Sequence, residues 1–117
     1  QQTVDIFNPK TIRATMGSIF RVPFVYVPEL SPVLTQMHER GIHTYAAHLK
    51  GQKYYDSFSF REPTAFLIGN EGNGLTKEIS DQAGQYLKIP MEGKVESLNA
   101  SIAAALLMYE AHRQRNL

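Results

Sequence analysis

Hydrophobic residues alternate between two spacings along the chain, and this alternation limits the possible folds more than any other feature. Segments with helical spacing separate short runs that are rich in β-branched and aromatic residues. These runs predict strands at 24–27, 42–47, 64–68 and 86–89. Strands joined by helical crossovers favour an α/β fold, with a mainly parallel sheet that helices cover on both faces.

Local signals mark where the predicted helices begin and end. Asn8 and Ser31 each precede a proline, and a capping side chain before a proline is typical of a helix start. Gly17 and Gly41 stand where these two helices should end. Thr76 is the predicted cap of the third helix. The polar stretch 50–61 shows no periodicity and is interpreted as a loop.

Composition narrows the class of protein. A chain of 117 residues with 43% apolar content is sufficient for one globular domain. It contains no cysteine, which excludes disulfides and thiolate chemistry and leads us to expect a cytoplasmic protein. No apolar run is long enough to span a bilayer, so no membrane partner is expected. The formal net charge of +1 carries no overall signature of nucleic-acid binding.

A glycine-rich segment, 69–74, directly follows the apolar strand 64–68. Its spacing is G-x-x-G-x-G, which matches neither the dinucleotide fingerprint nor the phosphate loop. Glu71 lies inside it and argues against a bare phosphate ligand. The segment therefore indicates either a site for a neutral or cationic ligand or a tight turn between a strand and a helix.

A second unusual junction follows the strand 86–89. Met91, Gly93, Ser97 and Asn99 crowd the start of the last helix, where one of the latter two is expected to be the N-cap. Ligands of parallel sheets lie outside the carboxyl ends of the strands, which is where both junctions fall.

The last helix, from about residue 98 to 111, is apolar nearly all round. Ile102, Leu106 and Tyr109 share one face, and four alanines allow close approach of another backbone. Either the helix is central to the domain or one face contacts a partner. We expect both, with the core on one side and a homodimer interface on the other.

Three stretches resemble motifs of a known family: residues 13–20 (RATMGSIF), 66–75 (FLIGNEGNGL) and 89–103 (IPMEGKVESLNASIA). They are similar to motifs of the SpoU (TrmH) family of RNA ribose 2′-O-methyltransferases, within the SPOUT superfamily. The resemblance covers essentially the whole chain. It implies a SPOUT-type fold with a C-terminal trefoil knot, S-adenosyl-L-methionine as cofactor, and tRNA or rRNA as substrate.

The resemblance also implies roles for individual residues. The positions that match cofactor contacts are Ala46, Gly69, Ile89, Met91, Ser97 and Leu98. Glu71 and Asn99 match the polar catalytic-site residues near the ribose and the methyl group. RNA contacts are expected from Lys10, Arg13 and Arg21. Lys10 and Arg21 could instead be ordinary solvated charges, whereas Arg13 lies in a motif-like stretch.

One motif of the family has no match. It is a strand followed by a helix, and it carries an Asn and the Arg thought to activate the ribose hydroxyl. We therefore expect residues 1–117 to be the C-terminal portion of a SpoU-type domain, with the first motif upstream and with no activity of this portion alone.

Two other functions stay open at this point. One is a catalytically degenerate SPOUT-like module for RNA binding or dimerisation, and the other is a different nucleotide-binding α/β enzyme with a similar glycine loop. No metal is expected, because the four histidines lack the paired spacing of metal ligands: His38, His43, His48 and His112.

Overall fold

The computed structural model describes residues 7–18, 21–48, 51–69, 75–89 and 100–117. Within these ranges the helices are α1 (Pro9–Ala14), α2 (Ser31–Glu39), α3 (Lys77–Gln82) and α4 (Ala100–Arg115). The strands are β1 (His43–Ala47), β2 (Thr64–Leu67) and β3 (Gln85–Leu87), and a 3₁₀ turn covers Tyr55–Ser57.

The three strands form one parallel sheet in the order β2-β1-β3. In its register, Ala46 of the central strand is level with Leu67 on one side and Tyr86 on the other. The chain reaches β2 through residues 48–63 and then crosses back past β1, by way of α3, to β3. The predicted parallel sheet is therefore confirmed.

Both faces of the sheet are covered, as predicted. Successive residues of a strand point to opposite faces, and Tyr45 and Ala46 enter two different apolar clusters. Tyr45 packs with Phe60 and with Leu107 of α4. Ala46 packs on the other side with Leu34 of α2, in a cluster that also includes Ile79 of α3.

Three of the predicted helix signals are confirmed. The Lys10 N–H donates to Asn8 Oδ1 over 2.9 Å, and the Ile79 N–H donates to the Thr76 hydroxyl over 3.3 Å. Gly41 has a φ of +75° and follows the end of α2. There the Ile42 N–H donates to the Met37 carbonyl over 2.9 Å, which is the closing hydrogen bond of a Schellman motif.

The predicted cap at Ser31 is wrong. Leu30 is the N-cap, no side chain caps the first amides, and Ser31 is already helical. The Ser31 hydroxyl instead accepts a hydrogen bond of 2.8 Å from the Gln82 amide. A tertiary contact between α2 and α3 therefore takes the oxygen that the sequence pattern assigned to the cap.

The predicted strand 24–27 is also wrong. These residues are described, and they lie outside the three-stranded sheet. Pro23 and Pro28 flank the segment, and a proline cannot donate to a ladder. Phe24 and Tyr26 are half exposed and meet edge to face, with ring centroids 6.2 Å apart. Strand-forming residue types are thus present without pairing in the sheet.

Helix α4 presents two different faces. Ala103, Leu107 and Gln114 are buried with Glu110, whereas Tyr109 is 73% exposed. Ile102, Leu106 and Met108 are also exposed. The expected core side of this helix is confirmed. The start of the helix at Ser97 or Asn99 and the path of the proposed knot fall on residues 90–99, outside the described residues.

Candidate functional site

The ends of the three strands meet at one edge of the sheet. Ala47 is level with Leu87, and Ala46 is level with Leu67, so the chain leaves all three strands at the same height. After β2 it continues to α3 on one face, and after β3 to α4 on the opposite face. In parallel α/β sheets, ligands bind outside the carboxyl ends of the strands where connections diverge in this way, so this edge is the candidate site.

The structure brings three of the predicted cofactor contacts to this edge. Gly69 and Ile89 each lie two residues beyond the end of a strand, and both are half-buried. Ala46 is fully buried at the end of β1. The other predicted site residues lie outside the described ranges: Glu71, Met91, Ser97, Leu98 and Asn99.

An aromatic pair that gave no signal in the sequence lies at the same edge. The His48 and Tyr86 rings are stacked, with centroids 4.9 Å apart and planes inclined by 16°. The Tyr86 hydroxyl donates to Asp81 Oδ1 over 2.6 Å, and this hydrogen bond raises the pKa of Tyr86. The pair links the end of β1 to β3 and α3.

Residues 51–55, predicted as part of a loop, run alongside the end of β3. Tyr54 and Lys88 form a parallel bridge. The Lys88 N–H donates to the Lys53 carbonyl, and the Tyr55 N–H donates to the Lys88 carbonyl, each over 2.9 Å. The backbone is thereby fixed one residue before Ile89.

The C-terminal polar cluster (Glu110, Arg113 and Gln114) holds the far end of α4. The Arg113 guanidinium donates twice to the Glu110 carboxylate, each time over 2.9 Å. The Gln114 amide donates to the same carboxylate over 2.8 Å. Together these hydrogen bonds lower the pKa of Glu110 to about 2. Buried Gln114 also bridges to the backbone of Phe58 and Phe60.

The histidines have structural contacts rather than a shared centre. His38 Nε2 lies 2.8 Å from the Thr44 hydroxyl, and His43 lies 2.7 Å from Glu62. In the described ranges no three His, Cys, Asp or Glu side chains are grouped as a metal site would require.

An open hollow of about 300 Å³ near Thr44 and Gly84 lies at the amino ends of β1 and β3, away from the carboxyl edge.

The three predicted RNA contacts are all on the surface. Lys10 and Arg13 belong to α1, Arg21 follows it, and all three are exposed.

Among the parts of the chain that are described, no helix is both long enough and apolar enough to cross a membrane.

Comparison with known proteins decides the family. The model of the SpoU rRNA methylase family matches residues 1–109. The chain belongs to this family. A Bacillus subtilis protein, YacO, assigned to the TrmH family of tRNA/rRNA methyltransferases, is 38% identical over 104 residues, which are 89% of this chain. Those residues cover 42% of the relative, so the chain spans less than half the length of that SpoU/TrmH protein.

Solved structures of SpoU methyltransferases share the fold. The crystal structure of AviRb from Streptomyces viridochromogenes, in complex with the cofactor AdoMet, superposes with a TM-score of 0.87. It is 36% identical, over 97% of this chain and 47% of that one. An RNA 2′-O ribose methyltransferase superposes with a TM-score of 0.86 at 35% identity, over 98% of this chain and 44% of its own.

Proposed function

We propose that this chain forms the cofactor-binding part of an S-adenosylmethionine-dependent methyltransferase that acts on a ribose 2′-hydroxyl of tRNA or rRNA. The observation that carries the proposal is the meeting of three parallel strand ends at one edge, with Gly69 and Ile89 both placed there. The SpoU relative crystallised with AdoMet supports the cofactor, and the 2′-O ribose methyltransferase supports the acceptor.

The residues at this edge fit the proposed cofactor. Gly69 has no side chain, so a ligand can approach its backbone amide and carbonyl closely. Ile89 is apolar, half-buried and packed against the cluster of Tyr45 and Leu107, which suits the face of a neutral adenosine. When bound, S-adenosylmethionine supplies a methyl group carried by a cationic sulfonium.

The remaining roles follow the family motifs. Ala46, with Met91, Ser97 and Leu98, completes the proposed cofactor contacts. Glu71 and Asn99 are the proposed catalytic-site residues beside the ribose and the methyl group, and an acidic side chain suits a cationic ligand.

The proposed RNA contacts are Lys10, Arg13 and Arg21. Residues 7–28 hold these three cations and no acidic residue, whereas the other residues hold nine of the twelve Lys and Arg and all eleven Asp and Glu. Contacts of this kind act on phosphates and add affinity that falls with salt. Replacing all three with alanine should weaken RNA binding and flatten its salt dependence. Lys77→Ala on α3 is the control and should change neither.

We also propose a homodimer formed through the exposed face of α4. Ile102 and Tyr109 expose 54% and 73% of their surface, and Met108 beside them exposes 60%. Contiguous apolar residues on a helix of a soluble domain are typical of a protein interface. A knotted C-terminal segment and a cytoplasmic location complete the proposal.

Titration calorimetry with S-adenosylmethionine tests the proposed function, on the protein at its full natural length. We expect saturable binding that Asn99→Ala and Glu71→Ala alter, while Asn116→Ala at the exposed end of α4 leaves it unchanged. Absence of detectable binding at millimolar cofactor would refute the proposal. Binding without methyl transfer to total tRNA or rRNA would instead favour the degenerate module.

A further inference from the structure

The backbone at the end of β3 is fixed from both sides. The Leu87 carbonyl accepts a hydrogen bond of 3.0 Å from the His48 N–H, on the side of β1. On the other side, the N–H and the carbonyl of Lys88 both pair with residues 51–55. Three backbone hydrogen bonds therefore hold the two residues that precede Ile89.

Gly51, the first residue of the 51–55 segment, lies directly against the end of β3. It is buried, and a Cβ atom added there would lie 2.9 Å from the carbonyl carbon of Leu87 and 3.1 Å from the Lys88 nitrogen. Both atoms belong to one peptide group whose hydrogen bonds are already made. This peptide group cannot move away as the end of a flexible side chain could. A larger residue at position 51 must therefore displace the backbone of one of the two segments.

The chain that continues from residues 51–55 is attached to α4. The Gln114 amide donates to the Phe58 carbonyl over 2.9 Å, and its oxygen accepts from the Phe60 N–H over 2.6 Å. Phe58 and Phe60 follow Tyr55 by only a few residues. The far end of α4 thereby fixes the chain a few residues after the segment that holds the end of β3.

We propose that Gly51 is a positioning residue for S-adenosylmethionine. Because it lets residues 51–55 lie directly against the peptide that joins Leu87 to Lys88, it sets the direction in which the chain continues to Ile89. The inference rests on the proposed function, in which Ile89 contacts the cofactor. A shift of the backbone at Lys88 moves that contact, and displacements of about 1 Å at a binding site can cost up to about a hundredfold in activity.

The test compares Gly51→Ala with Gly84→Ala. Gly84 lies at the amino end of the same strand, where a Cβ atom would lie 3.1 Å from the Thr44 carbonyl oxygen. The two variants thus introduce steric contacts with backbone at opposite ends of β3, and the contact is closer at Gly51. We expect Gly51→Ala to raise the calorimetric Kd for S-adenosylmethionine by roughly tenfold or more, and Gly84→Ala to change it by less than about twofold.

The outcomes separate the two proposals. Failure of the unmodified protein to bind S-adenosylmethionine would refute the proposed function, and this inference with it. Binding by the unmodified protein with an unchanged Kd in Gly51→Ala would refute the role of Gly51 alone. Equal weakening in both glycine variants would show a general loss of stability and would also refute that role.

Hydrogen exchange provides a second test that needs no variant to fold. A ligand that binds the fixed arrangement must stabilise it in return. S-adenosylmethionine should therefore slow exchange of the Lys88 and Tyr55 amides several-fold more than that of the Gly84 amide, which donates to the Thr44 hydroxyl over 2.8 Å. Unchanged exchange at Lys88 and Tyr55 in the presence of saturating cofactor would refute the inference.

Discussion

Replacing Gln114 with leucine should destabilise the fold strongly, although leucine is apolar and similar in size. Gln114 is buried, and its side chain makes three hydrogen bonds: to the Phe60 N–H, the Phe58 carbonyl and the Glu110 carboxylate. Leucine makes none of them. Phe60 has no exposed surface, so water cannot replace the lost partner of its N–H.

The magnitude follows from these contacts. Leaving one buried backbone N–H without a partner costs about 1–3 kcal/mol, and each other lost hydrogen bond about 0.5–1.5 kcal/mol. The added apolar burial of leucine offsets about 1 kcal/mol. We therefore expect the free energy of unfolding to fall by about 1–5 kcal/mol. Domains of this size are typically stable by only about 5–15 kcal/mol, so the loss is readily measured.

Urea denaturation at 25 °C and pH 7 measures the change, with equal m-values as the condition for comparing midpoints. Gln36→Leu, on the exposed side of α2, is the matched control and should shift the free energy by no more than about 0.5 kcal/mol. A loss below about 0.5 kcal/mol in Gln114→Leu would contradict the structural importance assigned to this side chain.

Three further changes test other parts of the structure. The pKa of Glu110 falls from an ordinary 4.5 to about 2 in the folded protein. The ionised carboxylate therefore stabilises the fold fully above pH 4.5, and this stabilisation is lost as the pH falls towards 2. Because the Arg113 side chain is half exposed, we expect the carboxylate to contribute about 1–2 kcal/mol to the free energy of unfolding. Urea denaturation of the unmodified protein and of Glu110→Gln measures this, and the variant should lose more stability at pH 7 than at pH 3. An equal loss of stability at both pH values would contradict the prediction. Within the described residues the buried Ser80 hydroxyl has no hydrogen-bond partner, so Ser80→Ala should stabilise the protein by about 1 kcal/mol. Ser57→Ala, at an exposed serine, is the control. A destabilised Ser80→Ala variant would contradict the prediction. Thr76→Ala removes a helix cap and should cost about 1 kcal/mol, which Thr76→Ser should largely restore; equal loss in both would argue against capping.

The sequence predicted the strands correctly where β-branched and aromatic residues lie in segments that also pair with a neighbouring strand. The strands around Tyr45 and Phe66 combine β-branched or aromatic residues with burial, and both pair as expected. The segment 24–27 has the same composition, but composition alone does not indicate whether a strand finds a neighbour. Ser31 shows a similar limit, because a distant amide, that of Gln82, competes for its hydroxyl.

The buried polar side of α4 was not predictable from spacing. The sequence drew attention to the apolar residues Ile102 and Tyr109, which are exposed, while Glu110 and Gln114 are buried. The partners of Gln114 on the loop lie more than 50 residues away in the chain, so no local pattern reveals them.

The candidate site was predicted in part. The glycine at 69 and the strand end at Ile89 identified the carboxyl edge, since strand order and loop composition both indicate it. The role of residues 51–55 could not be predicted, because that segment holds β3 through backbone hydrogen bonds that any sequence can make. Only at Gly51 does the contact restrict the residue type, because a Cβ atom there would lie too close to the backbone of Leu87.

Methyl transfer to RNA, followed by nucleoside analysis, tests the proposed function most directly. The protein at its full natural length would be incubated with labelled S-adenosylmethionine and total tRNA or rRNA, and the RNA would then be digested to nucleosides. Ribose methylation predicts that the label appears in a 2′-O-methylated nucleoside and is lost with Asn99→Ala. Label on a base, or no transfer by a protein that binds both cofactor and RNA, would contradict the proposed function.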